Sequence, residues 1–282
     1  AVLELTSQLN DGHVWTLSKE INLFFGIYSV PVKLRYIEDL VTITDFFSDS
    51  IISYYNLKKG DVILEIDGKN VDEIIEERKK YYSFSNEAHF FRRVLEDLLA
   101  TNTQDSISLT INRFDSIFIV NIKPYFLYEL YQIQEREDKR KEAAIIFNDK
   151  IGYINLKYLE KDEIEIVFAD FIDLDKIIID IRNYPHGVIY ELSNFLYNDS
   201  IAFAKVFAPN IHLPGTFYYT TTCKTGMRKS RIFRGKIIIL VNEETQSHAE
   251  FTAMCFQASD NSITVGSTTA GTDGNVSNIL LP

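Results

Sequence analysis

The chain has little of several things. It holds only two cysteines, Cys223 and Cys255, in 282 residues. Two thiols cannot build a disulfide framework or complete a zinc site. Cys255 falls among Phe251, Met254 and Phe256 in a helical pattern and reads as a core thiol. No apolar run approaches the roughly 20 residues of a membrane-spanning helix, so no integral membrane segment is expected. Positive charge is scarce: 29 Lys and Arg stand against 40 Asp and Glu, a net charge of −11. Phosphate binding needs clustered bases. The densest basic stretch, REDKRKE at 136–142, is matched by acids and reads as a solvated linker or helix face. Nucleic acid is therefore excluded as the main partner. Lys and Arg vanish altogether after Lys236. The chain opens AVLELTSQ, with no Met and no signal-peptide pattern, and ends SNILLP. Both ends are expected to be cut from something longer.

Aromatics are abundant, with 16 Tyr and 20 Phe, and the chain is 46% hydrophobic. This predicts a large core, in one large or two medium domains. Val2, Leu3, Leu5 and Leu9 have helical spacing, and Asn10, Asp11 and Gly12 end that helix just before His13. From 28 to 124 the pattern is β-rich. VPVKLRYIED and LVTITDFF alternate like strands, SDSIISYYNL reads as a short helix, and KGDVILEIDGKNV as a strand ending in an Asp-Gly turn. Helical patterns follow at 72–82 and 86–100, then a hairpin from SISLTINRF and SIFIVNIKP. A linker is expected at 125–150. Beyond it, IGYINLKYL, KIIIDIRN, KIIILVN and SITVGS are strands separated by helical or irregular stretches. Ile177–Ile181 and Ile237–Val241 are almost continuously apolar, as strands buried on both faces of an α/β layer would be.

Four segments carry chemistry. In KIIILVNEETQSHAEFTAM, Ser247 sits where a buried strand hands over to a helix. It reads either as an N-cap in a capping box with Glu250 or as a nucleophile exploiting the helix N–H groups and dipole. DIRNYPHG, Asp180 to Gly187, follows the other buried strand. It is either an ordinary turn or a loop aiming N–H groups into a crevice. His13 in LNDGH stands beside Trp15, and a lone His is more often structural than catalytic. GSTTAGTDGN, Gly266 to Asn275, makes a hydroxyl-lined loop and by itself is a weak signal.

Taken in order, LNDGH, GDVILEIDGKNV, IDIRNYPHG and ILVNEETQSHAEFTAM…VGSTTAG resemble the tail-specific, or C-terminal processing, serine proteases. These are serine peptidase family forty-one, which includes the tricorn core protease. The resemblance implies a mixed α/β (α+β) fold, with a PDZ-like domain inserted in or preceding a crotonase-like layered β/α catalytic domain. It divides the chain into 1–27 with the catalytic His, a PDZ-like peptide-binding domain at 28–124, a linker at 125–150, and a catalytic protease domain at 151–282. It implies that Ser247 is the nucleophile and that Gly187 and the His248 N–H line the oxyanion hole. Where His186 stands the family usually has a second glycine, so a glycine-only conformation there would be strained.

The base is where this chain departs from many bacterial members. Those place a Lys after the glycine of the loop that reads TTAGT in this chain, and Thr272 occupies that position. The tricorn-like branch takes a His from an earlier motif that NDGH matches, which makes His13 the base. His248 competes by adjacency, but consecutive residues at a helix start point roughly 100° apart. That branch's third group is a Glu well after the Ser, and this chain stops before it. Asp11 and Glu250 match no family motif, so the acid is unassigned. The implied function is a serine endopeptidase acting by acyl transfer on protein or peptide substrates, with cleavage near their C-termini among the expectations. No cofactor or metal is needed, and the implied location is periplasmic, cell-envelope or secreted. The alternatives are a non-catalytic peptide-binding protein of the same fold and an unrelated crotonase-like acyl-transfer enzyme.

Overall fold

The computed structural model describes residues 1–138, 141–227 and 231–280. Lys139 and Arg140 of the REDKRKE stretch, and the final Leu281 and Pro282, lie outside them. The chain divides into two compact units, Ala1–Arg140 and Lys141–Pro282.

The first unit opens with helices α1 (Val2–Ser7) and α2 (Lys19–Phe25). Strands β1 (Tyr28–Ser29), β2 (Val32–Ile37) and β3 (Leu40–Phe46) follow, then α3 (Asp49–Ile52). Next come β4 (Val62–Ile66), β5 (Lys69–Asn70), α4 (Val71–Arg78) and α5 (Glu87–Glu96). The unit closes with β6 (Ile107–Arg113), β7 (Ser116–Ile122), β8 (Tyr125–Phe126) and α6 (Leu127–Asp138). The main sheet runs β2-β3-β4-β6-β7, with β5 paired to β4, all antiparallel. Its side chains alternate as the period of two demands: Ile107, Leu109 and Ile111 are buried while Ser108 and Thr110 are half-buried. The buried face meets Phe90, Val94 and Leu98.

Three two-residue turns join its strands, at Glu38-Asp39, Asp67-Gly68 and Phe114-Asp115. All six of these residues have positive φ, which matches the right-handed twist of the strands they connect. Only Asp-Gly advertises this in sequence. The expected linker at 125–150 is not structureless. It contains β8, which pairs with β1, and the twelve-residue helix α6.

The second unit holds β9 (Ala144–Phe147), β10 (Ile151–Asn155), α7 (Ile164–Phe171), β11 (Lys176–Asp180) and α8 (Ile189–Ser193). A long hairpin follows, β12 (Ile201–Pro209) and β13 (Phe217–Thr225), then β14 (Lys236–Val241), α9 (His248–Gln257) and β15 (Ser262–Gly266). The sheet order is β15-β14-β11-β10-β9, with four parallel strands and β9 antiparallel at one edge. One face is wholly buried: Ile177, Ile179 and Ile181 of β11 and its end, and Ile237, Ile239 and Val241 of β14. They share a core with Phe168, Leu192, Ala253 and Phe256 from the three helices.

The expected burial of these strands on both faces is not what the fold shows. Ile178, Ile238 and Leu240 on the opposite face are only half-buried. An uninterrupted apolar run does not distinguish a covered face from a partly covered one. The whole is a mixed α/β protein. Among the described residues, no helix is long and apolar enough to cross a membrane.

Candidate active site

The bend after β14 is built from its own polar side chains. Asn242 N–H donates to Thr245 Oγ1 at 3.1 Å, and Glu244 N–H to Asn242 Oδ1 at 3.0 Å. The fully buried Thr245 hydroxyl donates to Ile181 O at 2.8 Å, tying the end of β14 to the end of β11. From this knot the chain enters α9 through Ser247, at φ 55° and ψ −121°. That ψ lies far from the left-handed helical well near +47°. Such a conformation costs a residue with a Cβ on the order of 1–3 kcal/mol and persists only when its surroundings enforce it. A serine on a strained strand-to-helix turn is the geometry of a nucleophile elbow.

Glu250 is what enforces it. Its Oε2 accepts from the N–H of Ser247 at 3.2 Å and of Thr272 at 2.9 Å. Its Oε1 accepts from Thr269 Oγ1 at 2.6 Å and Gly271 N–H at 2.8 Å. The Ser247 N–H also meets Thr272 O at 2.7 Å. The reciprocal capping box expected from SHAE is present. The same carboxylate also fastens the TTAGT loop to the elbow, which the sequence did not reveal. With both oxygens committed to four donors, Glu250 serves as an anchor. Thr272, at the position where many members carry Lys, reaches Ser247 through its main chain.

The NYPHG loop is organised from Asp180, which is 3% exposed at the end of β11. Its Oδ1 accepts from Arg182 N–H and Nε, each at 3.0 Å, and its Oδ2 from Arg182 Nη2 at 2.7 Å and Tyr153 OH at 2.8 Å. Burial pushes this carboxyl up. The bonds from Arg182 and Tyr153 outweigh it, and the pKa lies below the ordinary aspartate value. Asn183 Nδ2 donates to Asn155 Oδ1 at 3.0 Å. Further along, His186 Nδ1 lies 2.6 Å from Glu160 Oε1.

Gly187 has φ 70°, and a Cβ placed on it would meet nothing within 4 Å, so its surroundings are open. His186 is not among the residues with positive φ. The loop needs one glycine, and the strain anticipated at 186 does not arise. Tyr184 and His248 rings lie 6.2 Å apart between centroids, so the loop runs beside the start of α9. The His248 N–H, first in that helix, and the Gly187 N–H donate to no described residue. The His248 ring is half-buried, its Nε2 has no partner among the described residues, and burial lowers its pKa.

His13 belongs to the first unit. Its loop is pinned through the main chain: Asp11 N–H donates to Ser83 Oγ at 3.0 Å, and Gly12 N–H to Ser85 Oγ at 2.9 Å. Asp11 Oδ1 accepts the His13 main-chain N–H at 2.7 Å, so this carboxylate braces the backbone. Within the first unit the His13 ring takes no hydrogen bond from a described residue. Trp15 stacks under the Arg93 guanidinium, 3.6 Å from its ring centre. Cys223 and Cys255 are free thiols, and Cys255 is fully buried. Among the described residues no three His, Cys, Asp or Glu side chains are grouped to hold a metal ion.

Residues 150–282 match the model of peptidase family S41. No curated protein matches the chain. Among solved structures, mature CPAF complexed with lactacystin is 15% identical over 100% of this chain and 76% of its own, with a TM-score of 0.72. Mature CPAF without that compound in its description gives 14%, 100%, 75% and 0.68. The photosystem II D1 C-terminal processing protease aligns loosely, at 13% identity, 87% and 61% coverage and a TM-score of 0.42. At such identities the CPAF likeness establishes a shared fold across both units. Together with the family match over residues 150–282, the unit that carries Ser247, it supports a serine peptidase similar to family S41.

Proposed function

We propose that Ser247 is the nucleophile of an endopeptidase that cleaves protein substrates by acyl transfer, with His13 as its general base. Ser247 Oγ attacks the scissile carbonyl carbon as His13 takes its proton. The N–H groups of Gly187 and His248 hold the oxyanion, and His13 returns the proton to the leaving amine. The observation that carries this reading is the backbone of Ser247. A serine serving only as a cap has no need of positive φ, and strain of this kind gathers at functional sites.

The finer architecture belongs to the same proposal. The antiparallel first unit, over 28–124, acts as a PDZ-like domain that accepts an extended peptide at a sheet edge. The parallel second unit, over 151–282, acts as a crotonase-like catalytic layer. The enzyme works on C-terminal regions of its substrates, in the periplasm, the cell envelope or outside the cell.

A fluorophosphonate serine probe tests the assignment directly. Wild type should label on Ser247, Ser247→Ala should not label, and His13→Ala should label at least about a hundredfold more slowly, since loss of a triad member costs orders of magnitude. Ser247→Ala retaining peptidase activity within about tenfold of wild type would falsify the nucleophile assignment. His13→Ala labelling at the wild-type rate would remove the base.

A further inference from the structure

The first unit holds a cavity of about 460 Å³, bounded by α1, α2, the end of α5 and the start of α6. That is the size of a small-molecule site. Its walls are largely aromatic, with Phe25, Tyr81, Tyr82, Phe126, Tyr128 and Tyr131 among them. Trp15 also lines it, half exposed, with the Arg93 guanidinium on its face. An apolar hollow with a few convergent polar groups is the usual form of a ligand site.

One of those polar groups stands in an unfavourable place. Asp97 is the C-cap of α5, where the helix presents the negative end of its dipole. A carboxylate there is repelled by the dipole, and being half-buried it also loses hydration. Its neighbours relieve it little. Tyr82 OH donates to Oδ2 at 3.1 Å, a single neutral donor. Arg78 Nη1 takes the Asp97 main-chain carbonyl, at 2.6 Å, and not the carboxylate. Arg92 and Arg93 pair with Glu96. Burial pushes the Asp97 carboxyl above its ordinary range, and Arg93, the Tyr82 bond and Arg78 offset only part of this. Tyr131 stands near the same two acids: burial, and then Glu96 and Asp97, push its phenol up.

We propose that this cavity binds a protonated amine carried on an apolar or aromatic body, the ammonium group pairing with Asp97 at the end of α5 and the body lying among the aromatic rings. Each part of such a ligand meets the chemistry it needs. The ammonium relieves the carboxylate and the helix terminus together. Aromatic faces attract a cation and bury its hydrocarbon. Of the three charged residues that line the cavity, Glu96 and Asp97 are acids and Arg93 is a base, so one negative charge is in excess. The site uses neither Ser247 nor His13, and the inference stands apart from the proposed reaction.

Trp15 is the only tryptophan in the chain, so its fluorescence reports on this cavity. Phenethylamine added to the whole protein should change that emission saturably, at millimolar concentrations or below. Phenylethyl alcohol has nearly the same shape without the charge. It should bind at least about tenfold more weakly, the difference made by one hydrogen bond to a charged group. Asp97→Asn keeps an acceptor for Tyr82 and removes the charge. It should weaken phenethylamine at least about tenfold and leave phenylethyl alcohol unchanged. No saturable response, equal affinity for the two compounds, or wild-type affinity for phenethylamine in Asp97→Asn overturns the proposal. Equal weakening of both compounds in Asp97→Asn overturns it too, because that is damage to the cavity and not loss of a charge. The tripeptide Phe-Ala-Ala and its N-acetyl form tell the sources of the amine apart. Tighter binding of the free tripeptide than of phenethylamine assigns the site to a chain N-terminus, and weaker binding assigns it to a free amine. The acetylated form should bind no better than phenylethyl alcohol, and acetylation without effect overturns the pairing with Asp97. Ser247→Ala should respond as wild type does, which keeps this result separate from the peptidase assignment.

Discussion

Ser18 and Ser247 occupy the same formal position, each the N-cap of a helix with a glutamate in its first turn. Ser18 has φ −159° and ψ 165°, ordinary extended backbone, and its side chain accepts the Ile21 N–H at 3.2 Å. Ser247 has φ 55° and ψ −121°, and a second loop is closed over it by Glu250. One serine ends a helix at no conformational cost. The other is forced into place by a half-buried carboxylate, a main-chain carbonyl and the Thr245 knot. The residue pattern is degenerate between a cap and the proposed nucleophile. What separates them is strain, together with the hydrogen bonds spent on maintaining it.

The sharpest way to break this contrast is to remove the enforcer. Glu250→Ala strips the acceptor from three N–H groups and a hydroxyl, where single unsatisfied groups cost about 1–3 kcal/mol. Denaturant unfolding should show a loss of about 3 kcal/mol, and kcat/KM should fall at least about a hundredfold. A loss under about 1 kcal/mol would mean that the loop holds itself.

Next in size is a matched pair of glycine substitutions. Ser247→Gly should abolish turnover yet raise stability by about 1 kcal/mol, because glycine occupies positive φ without a Cβ penalty. Ser18→Gly should lower stability by only a few tenths of a kcal/mol and leave activity intact, as glycine is a tolerable cap. Equal signs of the two changes in melting temperature would erase the distinction.

The smallest effect is expected at low pH. The folded pKa of Asp180 is depressed, so its contribution to stability is complete above the unfolded carboxyl value and is lost as pH falls through the folded one. Between about pH 5 and pH 2, wild type should therefore lose more stability than Asp180→Asn. Parallel curves would show that Arg182 does not hold the loop through this charge.

Much of the fold is legible in the sequence, for specific reasons. The strands of the first unit alternate with period two, and the parallel strands announce themselves as short β-branched runs. LNDGH, DIRNYPHG and SHAE sit at element ends, where turn chemistry is local. The rest depends on partners distant in sequence. Glu38-Asp39 and Phe114-Asp115 adopt positive φ because the strands they join impose it. The β12–β13 hairpin does carry a turn signal, Pro214-Gly215, but its strands are mostly exposed and show no regular core-facing alternation. Glu250 can be read as a cap, since its N–H partner is three residues away. Its other three donors arrive from 19 to 22 residues downstream. Asp97 carries no sequence signal at all, since its interest lies in the cavity that it lines.

Cys255 lies eight residues after Ser247 on α9, fully buried, and burial pushes its thiol up to about 12. At pH 7 it then stays a thiol rather than the thiolate, the species that oxidants and soft electrophiles attack. The helix that bears the proposed nucleophile is therefore chemically silent towards sulfur reagents. Activity should be indifferent to reductant, and a serine-directed label on this helix can be read without a thiol background. Sensitivity to an alkylating agent would direct attention to the partly exposed Cys223.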